Sequence, residues 1–372
     1  MPMPRTTSTA LAACHMALLA TLAGPALAGD PPAVQPVRQP QAPPDAPPPE
    51  PPAWIGQHLI EPELLAELLH RLNDAAPPFL LIDLRPADSA RAGRAPHARQ
   101  ADPTALRDES LLPNAGADDI DQLRLLLQRI GLSAGGSVVV YDDGRMTDAA
   151  RLWFLAQLAG ARQTTVVNGG WPALETAMKH HRIAPLAGPP PTPEPADFFA
   201  QGPPPASRPT IPMATREQVR SSVAPTTQPS PARADSRPPR RILDARSEEE
   251  HAGHKALTNL RTGHIPGALN LPYTQLMHLR PPPHPDPDHP FGRLLPPGQL
   301  AERFQKAGLQ PAEPITVHCQ TGGRAALVAL ALTLAGYADV QNYYRSFADW
   351  QADASCPLVP PAQALTKSNA SP

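Results

Sequence analysis

Charge of one sign, aromatic rings, cysteine and long apolar runs are all scarce in this sequence. With 32 Lys and Arg against 34 Asp and Glu the net charge is −2, which gives no reason to expect a nucleic-acid or membrane-surface partner. Phe, Trp and Tyr make up 4% of the chain, so aliphatic side chains must fill its cores. The apolar run from Leu11 to Leu22 is too short to span a bilayer stably, and no integral membrane segment is expected in the mature chain. Of the 3 cysteines, Cys14 falls in that run, leaving Cys319 and Cys356. In an exported chain such a pair suggests a disulfide, but spacing alone does not decide between a bridge and a free, reactive Cys319.

What is abundant is proline, 54 of 372 residues, roughly three times the average share. The prolines cluster and so mark linkers. Residues 1–28 read as a signal peptide, with Arg5 as the charged start, the apolar run, and the small-residue site Ala26-Leu27-Ala28. The chain is therefore expected to be exported, to the periplasm. Leu11-Ala12-Ala13-Cys14 resembles a lipoprotein box and offers anchoring through Cys14 as the alternative, although little apolar sequence precedes it. Residues 29–53 form a stiff Pro-rich spacer.

From Trp54 onward, strand and helix patterns alternate. Phe79 to Asp83, Val138 to Tyr141 and Thr164 to Val167 are short β-branched or aliphatic runs that read as buried strands. Between them, helical spacing begins at Pro62, repeats over Asp118 to Ile130 and again from Thr147 to Ala159, the last two stopped by Gly131 and Gly160. After a Pro-rich linker at 187–212, Thr215-Arg216-Glu217-Gln218 fits a capping box. Arg241 to Arg246 reads as a strand, Gly298 to Ala307 as a helix and Val340 to Tyr343 as a strand, whereas 224–240 reads as an insertion and 280–297 as a loop. His284, Asp286, Asp288 and His289 in that loop have neither helical spacing nor freedom from proline, so no metal is expected there. Alternating strands and helices predict an α/β fold with mostly parallel sheets and helices on both faces. Two domains are expected, residues 54–186 and 213–360, with a tail at 361–372.

The most informative stretch is Pro314 to Ala325. A strand ends on Cys319, turns through Gln320, Thr321, Gly322 and Gly323, and enters a helix at Arg324. Strand, tight loop and helix N-terminus make an anion cradle of backbone N–H groups. A cysteine at its first position is favoured as the nucleophilic thiolate, and Arg324 adds a cationic fork. The chain also repeats itself. Leu81-Ile82-Asp83-Leu84-Arg85 matches Ile242-Leu243-Asp244-Ala245-Arg246, and Gly160 and Gly336 each precede an aromatic residue, Trp171 or Phe347, by the same interval. Opposite Cys319 the first repeat carries Asp142 or Asp143, and a carboxylate does not carry sulfur.

Asp244-Ala245-Arg246, Gly263-His264-Ile265-Pro266-Gly267-Ala268, the Cys-x-x-Gly-x-Arg loop at 319–324 and Val167-Asn168-Gly169-Gly170-Trp171 together resemble the rhodanese (thiosulfate sulfurtransferase) family. The likeness is to its two-domain form, with an inactive N-terminal and an active C-terminal module. The resemblance implies two tandem rhodanese-like domains and a sulfurtransferase that needs no cofactor. In it Cys319 takes sulfane sulfur from a small donor, forms a persulfide and passes the sulfur to a thiophilic acceptor, cyanide-like, thiol or protein. It further implies anion contacts from Gln320, Thr321, Gly322, Gly323, Arg324 and Arg246, with Asp244 in support. Arg246 and Asp244 also read as a structural pair at a strand end, and His264 and His318 as structural. Three features depart from the family pattern: the loop interior is neutral, Glu250 stands where an arginine is expected, and Arg345-Ser346-Phe347 replaces Gly-Ser-Trp.

Two other function classes share parts of this pattern. A cysteine phosphatase has five residues between Cys and Arg, whereas this loop has four, Gln320 to Gly323, giving a smaller pocket. A non-catalytic persulfide carrier or protein-binding module of the cell envelope is separated from an enzyme by multiple turnover.

Overall fold

The computed structural model describes residues 57–73, 75–107, 117–161, 163–195, 211–223, 240–257, 259–279 and 291–361. The expected leader and spacer, the 224–240 insertion except Arg240, His284 to His289 and the tail beyond Pro361 lie outside the described residues.

The first module opens with β1 (Leu59–Ile60) and α1 (Pro62–Leu72). Proline at the helix start has its φ preset and lacks only an N–H that would find no helical partner. β2 (Leu80–Asp83), α2 (Ala87–Ala92), β3 (Arg99–Gln100), α3 (Ala117–Arg129), β4 (Val138–Tyr141), α4 (Thr147–Ala159), β5 (Thr164–Val167) and α5 (Gly170–His180) follow. The strands form one parallel sheet in the order β1-β5-β4-β2-β3. Strand alternation sends Leu81, Val139 and Tyr141 to the face covered by α1 and α5, and Ile82, Val138 and Val140 to the face covered by α3 and α4.

The second module contains α6 (Arg216–Val223), β6 (Arg241–Asp244), α7 (Glu248–His251), β7 (Leu269–Asn270), β8 (Met277–Leu279), β9 (Gly292–Leu294), α8 (Pro297–Lys306), β10 (Ile315–His318), α9 (Gly323–Leu334), β11 (Val340–Asn342) and α10 (Ser346–Ala352). Its parallel sheet runs β11-β10-β6-β7. Met213 bridges to Asn342 in parallel, in the place that β1 holds beside β5. The capping box at the start of α6 is present: Thr215 Oγ1 accepts from Gln218 N, and Gln218 Oε1 accepts from Thr215 N.

One expectation is corrected. The tract 280–297 is not all loop, because β9 pairs antiparallel with β8 and α8 begins at Pro297. Three residues with a glycine among dense prolines left no readable strand pattern. The described part of the Pro-rich linker, 187–195, is strapped to the first module. Gln100 N donates to Pro191 O at 2.9 Å and Arg94 Nη1 to Gly188 O at 3.0 Å. Prolines lack an N–H but keep the carbonyl, so a proline-rich strand can accept bonds along a sheet edge.

α4 and α9 are apolar nearly all round, the pattern of helices without a solvent face. Every residue from Asp148 to Ala159 is buried, as is every residue from Ala325 to Leu332. The two helices pack on each other, and one hydrophobic cluster runs from Ile82 and Trp153 in the first module to Leu327 and Tyr344 in the second.

Candidate active site

The loop after β10 is held from behind by α10. Cys319 N donates to Ser346 Oγ at 3.1 Å, and Phe347 N donates to Cys319 O at 3.0 Å. Sγ accepts the Gly322 N–H at 3.1 Å, and Ser346 Oγ lies 3.8 Å from it. Gly322 has φ +93°, and a Cβ there would stand 2.7 Å from Tyr344 O, so glycine is required on both counts. α9 starts at the next residue, with the positive end of its dipole at the sulfur loop. Cys319 is 1% exposed and opens on a cleft of about 280 Å³. Gln320, Thr321, Gly323 and Arg324 line the cleft from the second module, and Arg107, Arg145, Thr147, Asp148 and Arg151 line it from the first.

The structure brings the predicted loop residues together, but the Arg324 and Gln320 side chains are already engaged. Arg324 makes a side-on pair with Glu250, Nη1 to Oε2 at 2.6 Å and Nη2 to Oε1 at 2.8 Å. Burial works against the Arg324 charge, but the Glu250 hydrogen bonds and the nearby Cys319 sulfur hold it above its ordinary value. Burial likewise opposes the Glu250 charge, and Arg324 pulls that carboxyl below its usual range. Glu250 is itself fixed by a capping box with Ser247 at the start of α7. Gln320 is paired amide to amide with Asn259. Thr321 is exposed at the lip of the cleft.

Arg246 is a correction, because it does not reach the cleft. It is 1% exposed, with Nε and Nη2 on the Asp244 carboxylate at 3.0 and 2.7 Å, Nη2 also on Gly263 O at 2.9 Å, and its guanidinium 3.8 Å above the Phe347 ring. With every face occupied it is a structural residue. Asp244 also receives His251 Nδ1 at 2.9 Å and faces His318 Nε2 at 3.9 Å. Burial alone would raise the Asp244 carboxyl, but His318, His251 and Arg246 hold it far below its usual range. Burial pushes His318 down to about 4, against the pull of Asp244. His264 stacks on His251 with ring centroids 3.8 Å apart and bonds the His251 carbonyl, the structural part expected of it.

Cys356 is not on the surface as a tail residue would be. It is 1% exposed among Ile265, Phe347 and Trp350, and both it and Cys319 are free thiols. The residues that sequence reading missed are Ser346, Arg107, Arg145 and Arg151. Ser346 stood beside the noted Phe347, but its role depends on a positive φ of 60°, and the arginines come from the other module.

The rhodanese-like domain family matches residues 62–177 and again residues 231–353. The chain belongs to this family. It is 31% identical over 303 residues to a thiosulfate sulfurtransferase of Azotobacter vinelandii, covering 81% of this chain and 96% of that protein. It is 26% identical over 317 residues to a 3-mercaptopyruvate sulfurtransferase of Escherichia coli (strain K12), covering 82% and 96%. Among solved structures, the anaerobic ergothioneine biosynthesis enzyme from Chlorobium limicola, in complex with trimethyl histidine, superposes with a TM-score of 0.62 at 19% identity. That match covers 82% of this chain and 70% of the enzyme and speaks for the fold alone.

The two rhodanese-like modules are built on one plan. In the first, Arg85 grips Asp83, donates to Gly93 O at 2.6 Å and lies 4.2 Å from the Trp171 ring, as Arg246 does with Asp244, Gly263 and Phe347. Sheet register pairs Asp83 with Tyr141 and Asp244 with His318, so Asp142 rather than Asp143 is the counterpart of Cys319. The Asp142 carboxylate fills its own cradle, accepting N–H groups from Gly144 and Met146 at 3.0 Å, Asp148 at 3.1 Å and Ala149 at 3.2 Å. Burial, Asp143 and Asp148 push it up to about 7 against the pull of the Gly144 and Ala149 N–H groups. Where the first rhodanese-like module closes its anion site with a side chain, the second leaves Gly323 and Arg324 lining an open cleft.

Proposed function

We propose that the chain is a sulfurtransferase working through a persulfide on Cys319. The Cys319 thiolate attacks the outer sulfur of a sulfane donor, forming an Sγ–S bond. The bond from that sulfur to the rest of the donor breaks, and the donor leaves with the electron pair. A thiophilic acceptor then attacks the outer sulfur, and Sγ departs as the thiolate, so no net oxidation or reduction of the protein is needed. The carrying observation is the Gly322 N–H on Cys319 Sγ at the mouth of α9, with Cys319 lining the cleft. Such a donor stabilises negative charge on sulfur in each state of the cycle. Relatives named for thiosulfate and 3-mercaptopyruvate sulfurtransfer, matched over four-fifths of the chain, support the same reaction class.

Cys319→Ser tests this. It is expected to abolish turnover with a sulfane donor and cyanide and to remove the persulfide mass from the protein, with little change in Tm because serine fits the same small site. Full turnover in that variant defeats the proposal and leaves a binding module.

The charged start, apolar run and Ala26-Leu27-Ala28 site support export to the periplasm with cleavage after Ala28. N-terminal sequencing of the mature protein is expected to begin at Gly29, and a lipid on Cys14 contradicts this.

A further inference from the structure

The cation of the sulfur loop, Arg324, lines the cleft with its charge already matched. Glu250 matches Arg324, Asp143 matches Arg145, and a single carboxylate, Asp148, is divided between Arg107 and Arg151. One positive charge is therefore in excess among these groups, and it belongs to the first module.

Arg151 is the inner of the two sharing residues. Its side chain is 5% exposed, yet Nε makes no hydrogen bond and lies 3.9 Å from Asp148 Oδ1. Nη1 is anchored on the Tyr344 hydroxyl at 2.6 Å, and Nη2 stands against Gly323, where an added Cβ would come within 3.0 Å. The guanidinium thus lies against the first residue of α9 and lines the same cleft as Cys319. Burial works to discharge Arg151, while Tyr344, Asp148 and the Cys319 sulfur hold it charged. A buried donor left unpaired costs about 1–3 kcal/mol, a cost avoided at the Nε of Arg85 and of Arg246, each of which donates to a carboxylate. An Arg fork that lines a cleft and shares its one carboxylate with a second arginine is suited to an oxyanion.

We propose that Arg151, from the module without a nucleophile, receives the oxyanion head group of the sulfur donor and holds the transferable sulfur toward Cys319, with Arg107 at the cleft mouth assisting through their shared Asp148. The donor class is a small molecule carrying a carboxylate or sulfur oxyanion beside its sulfane sulfur. The inference rests on the functional reading only in taking Cys319 as the reacting group.

Alkylation of Cys319 in the full chain by iodoacetate and by iodoacetamide, followed on the peptide that carries it, reports the charge near the sulfur without any sulfur transfer. Arg151→Gln is expected to lower the iodoacetate-to-iodoacetamide rate ratio about three- to tenfold, the effect of one charge at several ångström in a partly screened cleft. It is also expected to raise KM for an anionic donor more than it lowers kcat. Asp148→Asn, nearly isosteric, is expected to raise the ratio. An unchanged ratio in either folded variant overturns the proposal, and if Arg151→Gln does not fold, Asp148→Asn decides. A ratio that responds in a protein that moves no sulfur refutes the sulfurtransferase reading alone. Normal transfer with an unresponsive ratio refutes this inference alone.

Discussion

Arg324 and Glu250 meet side-on, guanidinium to carboxylate, in the wall of the sulfur cleft, with two hydrogen bonds of 2.6 and 2.8 Å. The arginine that ends the Cys-x-x-Gly-x-Arg loop is thereby neutralised by the residue that departs from the family pattern. The pair is nearly buried, with side-chain exposures of 11% and 5%, so breaking it is costly.

Glu250→Gln is expected to lower stability by about 2–4 kcal/mol, since one partner of a buried pair is left with an uncompensated charge. The same change frees Arg324 and is expected to lower KM for anionic donors several-fold. Urea unfolding and steady-state kinetics on one preparation check both. Unchanged KM together with full stability contradicts the pairing.

Asp142→Ala removes the acceptor for four backbone donors at the head of α4. Stability is expected to fall by about 2–4 kcal/mol, as buried N–H groups lose their partner. Cys319 alkylation by a neutral reagent is expected to continue at its former rate. A variant as stable as the parent shows that the carboxylate does not cap the helix.

Acid is expected to destabilise the second module in two windows. The His318 value of about 4 lies below the ordinary 6.5, so the fold favours the neutral ring. That contribution is complete above pH 6.5 and is lost as pH falls toward 4, on the order of 3 kcal/mol at most. Asp244 is held below its ordinary 3.8, so its contribution is present above that pH and is lost on further acidification. Urea midpoints measured from pH 7.5 to 3 are expected to fall through both windows. His318→Gln is expected to abolish the upper window and, because His318 helps hold the Asp244 carboxyl down, to shrink the lower one, and a parent curve flat between pH 6.5 and 4.5 is inconsistent with a neutral buried His318.

Much of the fold was legible because its signals are local. Runs such as Val138 to Tyr141 and Ile315 to His318 announce fully buried parallel strands, and Gly131, Gly160 and Gly308 mark helix ends. The nucleophile was legible for the same reason, since its strand, loop and helix start lie within twelve residues of chain. The charge around it was not. Arg324 reads as a free cation until Glu250, 74 positions earlier, is seen folded against it. Arg151 reads as one polar residue in an apolar helix, and only the packing of α4 on α9 carries it to the sulfur loop. Asp244 and Arg246 looked available at a strand end because sequence does not show Gly263 O and the Phe347 ring closing over the guanidinium.

The shared α4–α9 seam also fixes how the chain can come apart. Residues 54–186 carry a complete sheet, so sequence alone presents them as a unit able to fold by itself. Yet Trp153, Phe154 and Leu155 sit in a cluster with Leu327, Leu330 and Tyr344, and a lone first copy would turn that oily seam to water. Lacking a cysteine does not make the first copy dispensable. Its α4 covers α9, and a truncation that removes it strips the reactive half of that cover.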